Sequence, residues 1–322
     1  MRVLVTGIAG FIGMHCALRL LARGDEVFGV DNLSPYYSVD LKQARLREVR
    51  AAGSIAFEQA DLAEPGTAER VVAAARPDAV LHLAAQAGVR YSLENPNSYV
   101  QANLVGFANL LEACRAHPPR HLLYASSSSV YGNSDKLPWS ESDNVDRPIS
   151  LYAATKKANE LMAHVYSHLY GLPATGLRFF TVYGPWGRPD MSPILFARAI
   201  MEGKPLQVFN HGALQRDFTY VDDVVEGTLR TLDRPPSAQP PYRIFNIGNH
   251  QPVPLLDYIA AMERVLGRKA QLEMKPMQPG DVVATYADTR ALAEAVGFAP
   301  STPLEDGLRR FADWFKRYYG FA

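Results

Sequence analysis

The opening segment RVLVTGIAGFIGMHCALRLLARG limits the possible folds more than any other stretch of the chain. It reads as an apolar strand, a glycine turn and an amphipathic helix. Gly7, Gly10 and Gly13 stand in GxxGxxG spacing. Glycines at such a junction permit a tight turn and let the backbone approach a pyrophosphate, whose charge then rests on the helix N-terminus.

A glycine triplet alone is weak, and the context strengthens it. A second strand-like run, DEVFGV, ends beside Asp31, 18 residues past Gly13. A carboxylate there accepts hydrogen bonds from an adenosine ribose and repels a 2′-phosphate, so NAD is expected over NADP. Phe11 and Ile12 belong to the turn, and Asn32 stands next to Asp31. Asp61 and Leu62, after the third strand, and Leu83, Ala84, Ala85 and Gln86, after the fourth, border the adenine and ribose-phosphate portions. Asn103 and Ser126 complete the expected cofactor set.

The same rhythm continues. Runs RVLVT, DEVFGV, SIAFEQ, DAVLHLA, RHLLYAS and ATGLRFF alternate with helical patterns such as SYVQANLVGFANLLEACRAH. Alternation of this kind predicts a Rossmann-type, doubly wound parallel sheet in an α/β chain. From residue 184 onward the pattern changes to GPWGRPDMSP, short strands at LQVF and DFTY, and the Pro-rich loop DRPPSAQPPY. We expect a cofactor-binding domain at 1–183 and a smaller α/β substrate-binding lobe at 184–322, with segments free to cross back.

Bulk properties exclude several classes. Lys plus Arg and Asp plus Glu both total 33, so no global field draws the protein to nucleic acid or to an anionic membrane. No run approaches eighteen apolar residues, and MRVLVTG reads as a first strand rather than a leader, so a cytoplasmic setting is expected. Cys16 and Cys114 fall in helical patterns without a CxxC pair or a histidine cluster. They read as buried small residues, and no metal site is expected.

Two further features carry chemistry. ASSSSVYG (125–132) places four serines at the tip of a strand, where hydroxyls are well positioned. Downstream, LYAATKKANELMAHVYSHLYG sets Tyr152 and Lys156 at i, i+4 on one helix face, with Ser127 standing 25 residues ahead of the tyrosine. An ammonium near a phenol favours the phenolate. Bringing a phenol from about 10 to near 7 takes roughly 4 kcal/mol, more than one partly exposed lysine supplies, so a burying cofactor is required.

The combination TGIAGFIG, SSSSVYG and YAATK resembles the extended short-chain dehydrogenase/reductase family of nucleotide-sugar enzymes over essentially the whole chain. The resemblance implies that Tyr152 removes a hydroxyl proton while hydride passes to NAD. It also implies that Lys156 binds the nicotinamide ribose and tunes the tyrosine, and that Ser127 hydrogen-bonds the reacting oxygen. Relatives that dehydrate or decarboxylate carry a carboxylate in place of Ser128 or Ser129. Neutral serines serve elimination poorly and so point to epimerisation.

HLAAQAGVRYSLENP, LYAATKKANELMAHVYSHLYGLPATGLRFFTVYGPWGRPDM and QRDFTYVDD are similar to UDP-glucuronate 4-epimerases. That likeness implies UDP-glucuronate and UDP-galacturonate as the substrate pair. A uronic acid oxidised at C4 is a β-keto acid and tends to lose CO2, so its carboxylate must be held. Ser128, Ser129, Thr181 and Arg188 are the candidates. The resemblance further implies that Phe209 packs on uracil, with Gln207 and Val208 offering backbone bonds, that Arg216 binds the diphosphate, and that Asp281 binds the ribose. Several relatives hold an arginine where this chain has Gln278, so some of the diphosphate charge must fall to another cation, for which Arg90 and Arg188 are candidates. A homodimer formed through helices 98–116 and 152–170 is implied as well. The competing functions are a UDP-glucose/UDP-galactose 4-epimerase, a UDP-glucuronate decarboxylase, and a non-catalytic NAD or sugar-nucleotide sensor.

Three features are set aside as structural. Asp222 and Asp223 open a helical pattern and are expected to cap it. His82 lies in an apolar strand and reads as a satisfied core residue. Arg309, Arg310, Trp314 and Tyr318 in the last helix resemble a packing face rather than a nucleic-acid patch.

Overall fold

The computed structural model describes residues 1–278 and 282–321. Strands β1 (Arg2–Thr6), β2 (Glu26–Asp31), β3 (Ala56–Gln59), β4 (Ala79–His82), β5 (His121–Ser127) and β6 (Ala174–Phe179) alternate with helices and pair in parallel. Six more strands follow: β7 (Thr181–Tyr183), β8 (Pro205–Val208), β9 (Gln215–Tyr220), β10 (Tyr242–Ile247), β11 (Pro252–Pro254) and β12 (Gln271–Met274). β10 returns beside β6, giving a seven-stranded parallel sheet in the order β10–β6–β5–β4–β1–β2–β3. This strand, which follows the Pro-rich loop, is a segment crossing back of the kind allowed for above, although YRIFNI is not among the strand-like runs read from the sequence.

Strand order reverses between β1 and β4, and in a doubly wound sheet ligands bind outside the carboxyl ends at that point. The glycine turn after β1 and the serine turn after β5 therefore share one rim. Away from the large sheet, β7, β9 and β11 form a three-stranded sheet, and β8 pairs with β12.

Side-chain alternation along each strand divides the core into two layers. Val3, Val5, Leu81, Leu123 and Leu177 face the helix Phe11–Ala22 through Met14, Ala17 and Leu20. Leu4, Val80, Leu122 and Tyr124 point the other way, toward Val71, Phe107, Leu110 and Ala163. Cys16 lies in the first layer and Cys114 in the second; both are free and buried. Burial pushes the Cys114 thiol up to about 12, so it stays protonated.

The helix Leu151–Tyr170 starts where the Ser150 side chain accepts from the Ala153 N–H and ends at Gly171. The expected helix over 98–116 is instead interrupted. A turn at Pro96–Tyr99 leads into a π-helical segment, Val100–Val105, before the regular helix Gly106–Ala116. Asn103 sits at the interruption and ties it to its surroundings: its amide donates to the Gln86 carbonyl (3.0 Å) and to Thr155 Oγ1 (3.0 Å).

Asp222 and Asp223 do not cap their helix as expected. The cap position is Tyr220, with no side-chain bond, and both aspartates lie in the first turn, where they face the helix dipole. Asp223 accepts from the backbone N–H groups of Ser301 and Thr302, while Asp222 pairs with Arg310 at 3.5 Å. The last helix packs through Trp314, which lies 5.4 Å from both Tyr318 and Trp186, whereas Arg309 and Arg310, expected on the same face, are exposed and pair with Asp306 and Asp222.

Candidate active site

One cleft of about 1170 Å³ runs along the rim from the glycine turn to strands β7, β8 and β9. At its first end the chain is shaped by backbone contacts. Gly7 has φ +72°, and a Cβ there would lie 2.7 Å from the Ala84 nitrogen. A Cβ on Gly13 would lie 2.1 Å from the Gly7 carbonyl oxygen, so the helix approaches the strand this closely only with glycine at that position. The helix Phe11–Ala22 has no side-chain cap, which leaves its first N–H groups for an anionic ligand. Phe11, Ile12, Leu83, Ala84, Ala85 and Gln86 line the cleft beside it.

Asp31 stands at the tip of β2, nearly buried, accepting from the N–H groups of Ala9 (3.0 Å) and Leu33 (2.8 Å). Burial raises its carboxyl above the ordinary value, with the Leu33 bond, Lys42 and the Ala9 bond opposing. Asn32 donates to Asp61 at 3.0 Å, and Asp61 and Leu62 complete this wall. The glycine cradle, the open helix end and the carboxylate at the ribose position fit NAD.

At the centre, β5 delivers the serine turn. Ser127 ends the strand, and Ser128–Tyr131 form a single 3-10 turn. Ser127 Oγ accepts from the Ser129 N–H (3.2 Å) and from Ser129 Oγ (2.9 Å). Tyr152 and Lys156 reach the same cleft from one face of the helix Leu151–Tyr170. Burial raises the Tyr152 phenol, while a hydrogen bond with Ser127 and the charge of Arg188 pull it back. Lys156 donates from Nζ to the Ala125 carbonyl at 2.8 Å. Arg188, which the sequence reading does not link to the tyrosine, is thus a cation that favours the phenolate here. Burial lowers the Lys156 ammonium to about 8, against the opposing charge of Glu160 one turn on.

Toward the small lobe, Thr181 and Arg188 line the cleft. Arg188 is committed to Asp190, from Nε (3.1 Å) and from the terminal nitrogen (2.5 Å), and Tyr36 donates to the same carboxylate at 3.0 Å. Farther out, the Arg90 guanidinium lies 5.4 Å from the Phe209 ring centre. Arg216 donates to the carbonyls of Gln215 (2.8 Å) and Val283 (3.2 Å), and Gln207 sits exposed on the rim. Gln278 also lines the cleft, its buried Oε1 without a hydrogen-bond partner among the described residues.

Some expected residues are placed differently. Asn103 is buried behind the cleft wall and spends both ends of its amide on Gln86 and Thr155. Ser126 lines the cleft, but its hydroxyl is spent on Glu160 at 2.6 Å. Val208 is fully buried in the small-lobe core, and its carbonyl accepts from Lys275. Asp281 lies outside the described residues. His82 is satisfied as expected, 2.8 Å from Thr6 Oγ1, and burial, reinforced by Lys156, pulls its imidazole down to about 3.

Sequence reading missed several residues that shape the cleft. Lys42, folded back to the Ser34 carbonyl at 2.8 Å, lines the cleft near Asp31. Arg45, fully buried, joins the Ala9 carbonyl of the glycine turn to the carbonyls of Trp186 and Gly187 just ahead of Arg188. Asp190, Glu160, Arg178 and Tyr131 belong with these. Apart from Arg188–Asp190 and Lys42–Ser34, their partners lie far away in sequence, so no local spacing marks them. Among the described residues, no group of three or more His, Cys, Asp or Glu side chains is arranged to hold a metal ion.

This geometry agrees with comparisons across known proteins. A probable UDP-glucuronate 4-epimerase of Rhizobium meliloti (strain 1021) is 46% identical, covering 99% of this chain and 98% of its own. A crystal structure of UDP-glucuronic acid 4-epimerase from Bacillus cereus, in complex with UDP-glucuronic acid and NAD, superposes with TM-score 0.92 at 33% identity, over 99% of this chain and 100% of that one. The UDP-glucose 4-epimerase of Thermotoga maritima, with UDP-glucose, superposes with TM-score 0.89 at 30% identity, over 99% and 100% of the two chains. Residues 3–248 match the family described as NAD dependent epimerase/dehydratase, and the chain belongs to that family.

Proposed function

We propose that this protein is an NAD-dependent UDP-glucuronate 4-epimerase, interconverting UDP-glucuronate and UDP-galacturonate through a 4-keto sugar. The observation that carries this reading is the serine turn, which is free of carboxylates and shares the cleft with Tyr152 and with Arg188, whose charge acts on the phenol. Bound NAD supplies reversible hydride acceptance at C4. Tyr152 is the base for the C4 hydroxyl proton, and Ser127 bonds the reacting oxygen. Lys156 holds the nicotinamide ribose. An anionic sugar carboxylate meets hydroxyls and a guanidinium here, whereas an acidic residue in the turn would repel it.

The sugar carboxylate is assigned to Ser128, Ser129, Thr181 and Arg188. Arg188 suits that role better than Arg90, because Arg188 acts on Tyr152 while Arg90 lies over Phe209 at the other end of the cleft. Arg90 is then assigned to the diphosphate together with Arg216, and Phe209 to uracil. The neutral-sugar alternative draws on the similarity to the Thermotoga enzyme at 30% identity, against 46% for the Rhizobium protein described as a probable UDP-glucuronate 4-epimerase. Product analysis by NMR, with UDP-glucuronate and UDP-glucose compared, tests the choice. Turnover of UDP-glucose alone, or release of CO2 from UDP-glucuronate, overturns it.

We read the protein as a cytoplasmic homodimer. The helix Leu151–Tyr170 leaves Leu161, Val165 and Leu169 exposed at 56%, 46% and 61%, a stripe at i, i+4 and i+8 that a second copy would cover. Light scattering should give twice the chain mass. Among the described residues no helix is long and apolar enough to cross a membrane.

A further inference from the structure

Behind the serine turn lies a buried ion pair that the reaction itself does not use. Arg178 on β6 donates from Nε to Glu160 Oε1 (2.8 Å) and from its terminal nitrogen to Oε2 (2.9 Å), with both side chains no more than 3% exposed. Glu160 Oε1 also accepts from Ser126 Oγ at 2.6 Å. On its other side Arg178 donates to the Tyr131 hydroxyl (3.0 Å), which in turn donates to Asn246 Oδ1 (2.7 Å). Asn246 is fixed by the carbonyls of Trp139 and Asp288. The pair therefore grips Ser126, two residues ahead of the turn, and Tyr131, the residue that closes it. Lys156, one turn before Glu160, holds the Ala125 carbonyl as well, so the same helix fixes two consecutive residues ahead of Ser127.

We propose that the Glu160–Arg178 pair, with Ser126 and Tyr131, is a positioning clamp that stops Ser128 and Ser129 from drifting and so keeps the 4-keto intermediate from losing CO2. The inference rests on the function proposed above. Stability alone is a poor reason for such a pair, since apolar residues of similar volume often serve a core as well or better. Geometry supplies a better one. The 4-keto acid decarboxylates when the C5–C6 bond swings parallel to the carbonyl π orbitals. That bond then breaks, CO2 leaves, its electron pair forms the C4–C5 enolate, and C5 takes a proton from water. Hydroxyls that hold the carboxylate out of this alignment act only where their positions are fixed, and a displacement of about 1 Å changes rates on the order of 100-fold.

The test uses the full-length enzyme with UDP-glucuronate, measuring CO2 and UDP-galacturonate together. Tyr131→Phe removes one oxygen and keeps the ring; Ser126→Ala cuts the other grip; Glu160→Gln with Arg178→Met neutralises the centre. Each should raise the ratio of CO2 to epimer by roughly fivefold or more, and Ser126→Thr should restore it. A merely structural role predicts lower yield or rate with an unchanged ratio, and that result in Tyr131→Phe and Ser126→Ala overturns the clamp. Tyr131→Phe decides the matter if the double variant does not fold. A wild-type enzyme that fails to epimerise UDP-glucuronate overturns the functional reading and the clamp with it. An epimerising wild type whose variants keep its product ratio overturns the clamp alone.

Discussion

The two ends of the cleft are built by different means. At the cofactor end the backbone does the shaping: Gly7 and Gly13 let strand, turn and helix approach within distances that no Cβ allows, and Asp31 is held by two backbone N–H groups. At the sugar end, side chains from distant segments do it: Arg188 with Asp190 and Tyr36, and Glu160 with Arg178, Ser126 and Tyr131. The difference predicts that damage at the first end costs folding and cofactor binding, whereas damage at the second redirects chemistry.

The sharpest separation should come from Tyr152→Phe. Its kcat should fall by about 10²- to 10⁴-fold with NAD binding near normal, read by turnover and by cofactor titration. Gly13→Ala should do the reverse. Its Cβ would stand 2.1 Å from the Gly7 oxygen, so NAD affinity and thermal stability should fall together, by roughly 1–3 kcal/mol in stability. If Gly13→Ala bound NAD normally, the contrast between the two ends would break.

Arg188→Met tests the sugar end at intermediate size. Loss of a charge-assisted contact should raise KM for UDP-glucuronate about tenfold, increase CO2 release and leave UDP-glucose affinity unchanged. Equal losses for both sugars would mean that Arg188 serves the diphosphate instead.

The smallest effect is in stability against pH. The folded Lys156 ammonium sits lowered to about 8, so between pH 8 and the ordinary lysine value the unfolded chain carries a proton that the folded one lacks. Stability then rises with pH in that window, and the burial penalty is fully present below it. Denaturation of wild type and Lys156→Met from pH 8 to 10 should show the wild type gaining on the variant, by on the order of 1 kcal/mol per pH unit at most. A constant difference would mean that Lys156 titrates normally.

The cofactor end was legible because its determinants are local. Glycine spacing, a strand ending in Asp31 and Tyr152 with Lys156 at i, i+4 all lie within short windows. The exception is instructive. Asn103 sits in the right segment, yet a π-helical interruption turns its amide into a brace between Gln86 and Thr155. At the sugar end, the serine turn and Arg188 could be read, but not what holds them. Asp190 and Tyr36 are 154 residues apart in sequence, and Tyr131 and Asn246 are 115 apart. Only closure of the sheet by β10 brings Asn246 to the turn. Periodicity likewise identified the first six strands of the large sheet but not this returning one.

The central claim is that C4 is oxidised and reduced while the neighbouring carboxylate is held still. Turnover of UDP-glucuronate in D2O, followed by NMR, tests it most directly. UDP-galacturonate should form with hydrogen retained at C4 and C5 and without accompanying CO2. A decarboxylated UDP-sugar carrying deuterium at C5 would contradict it.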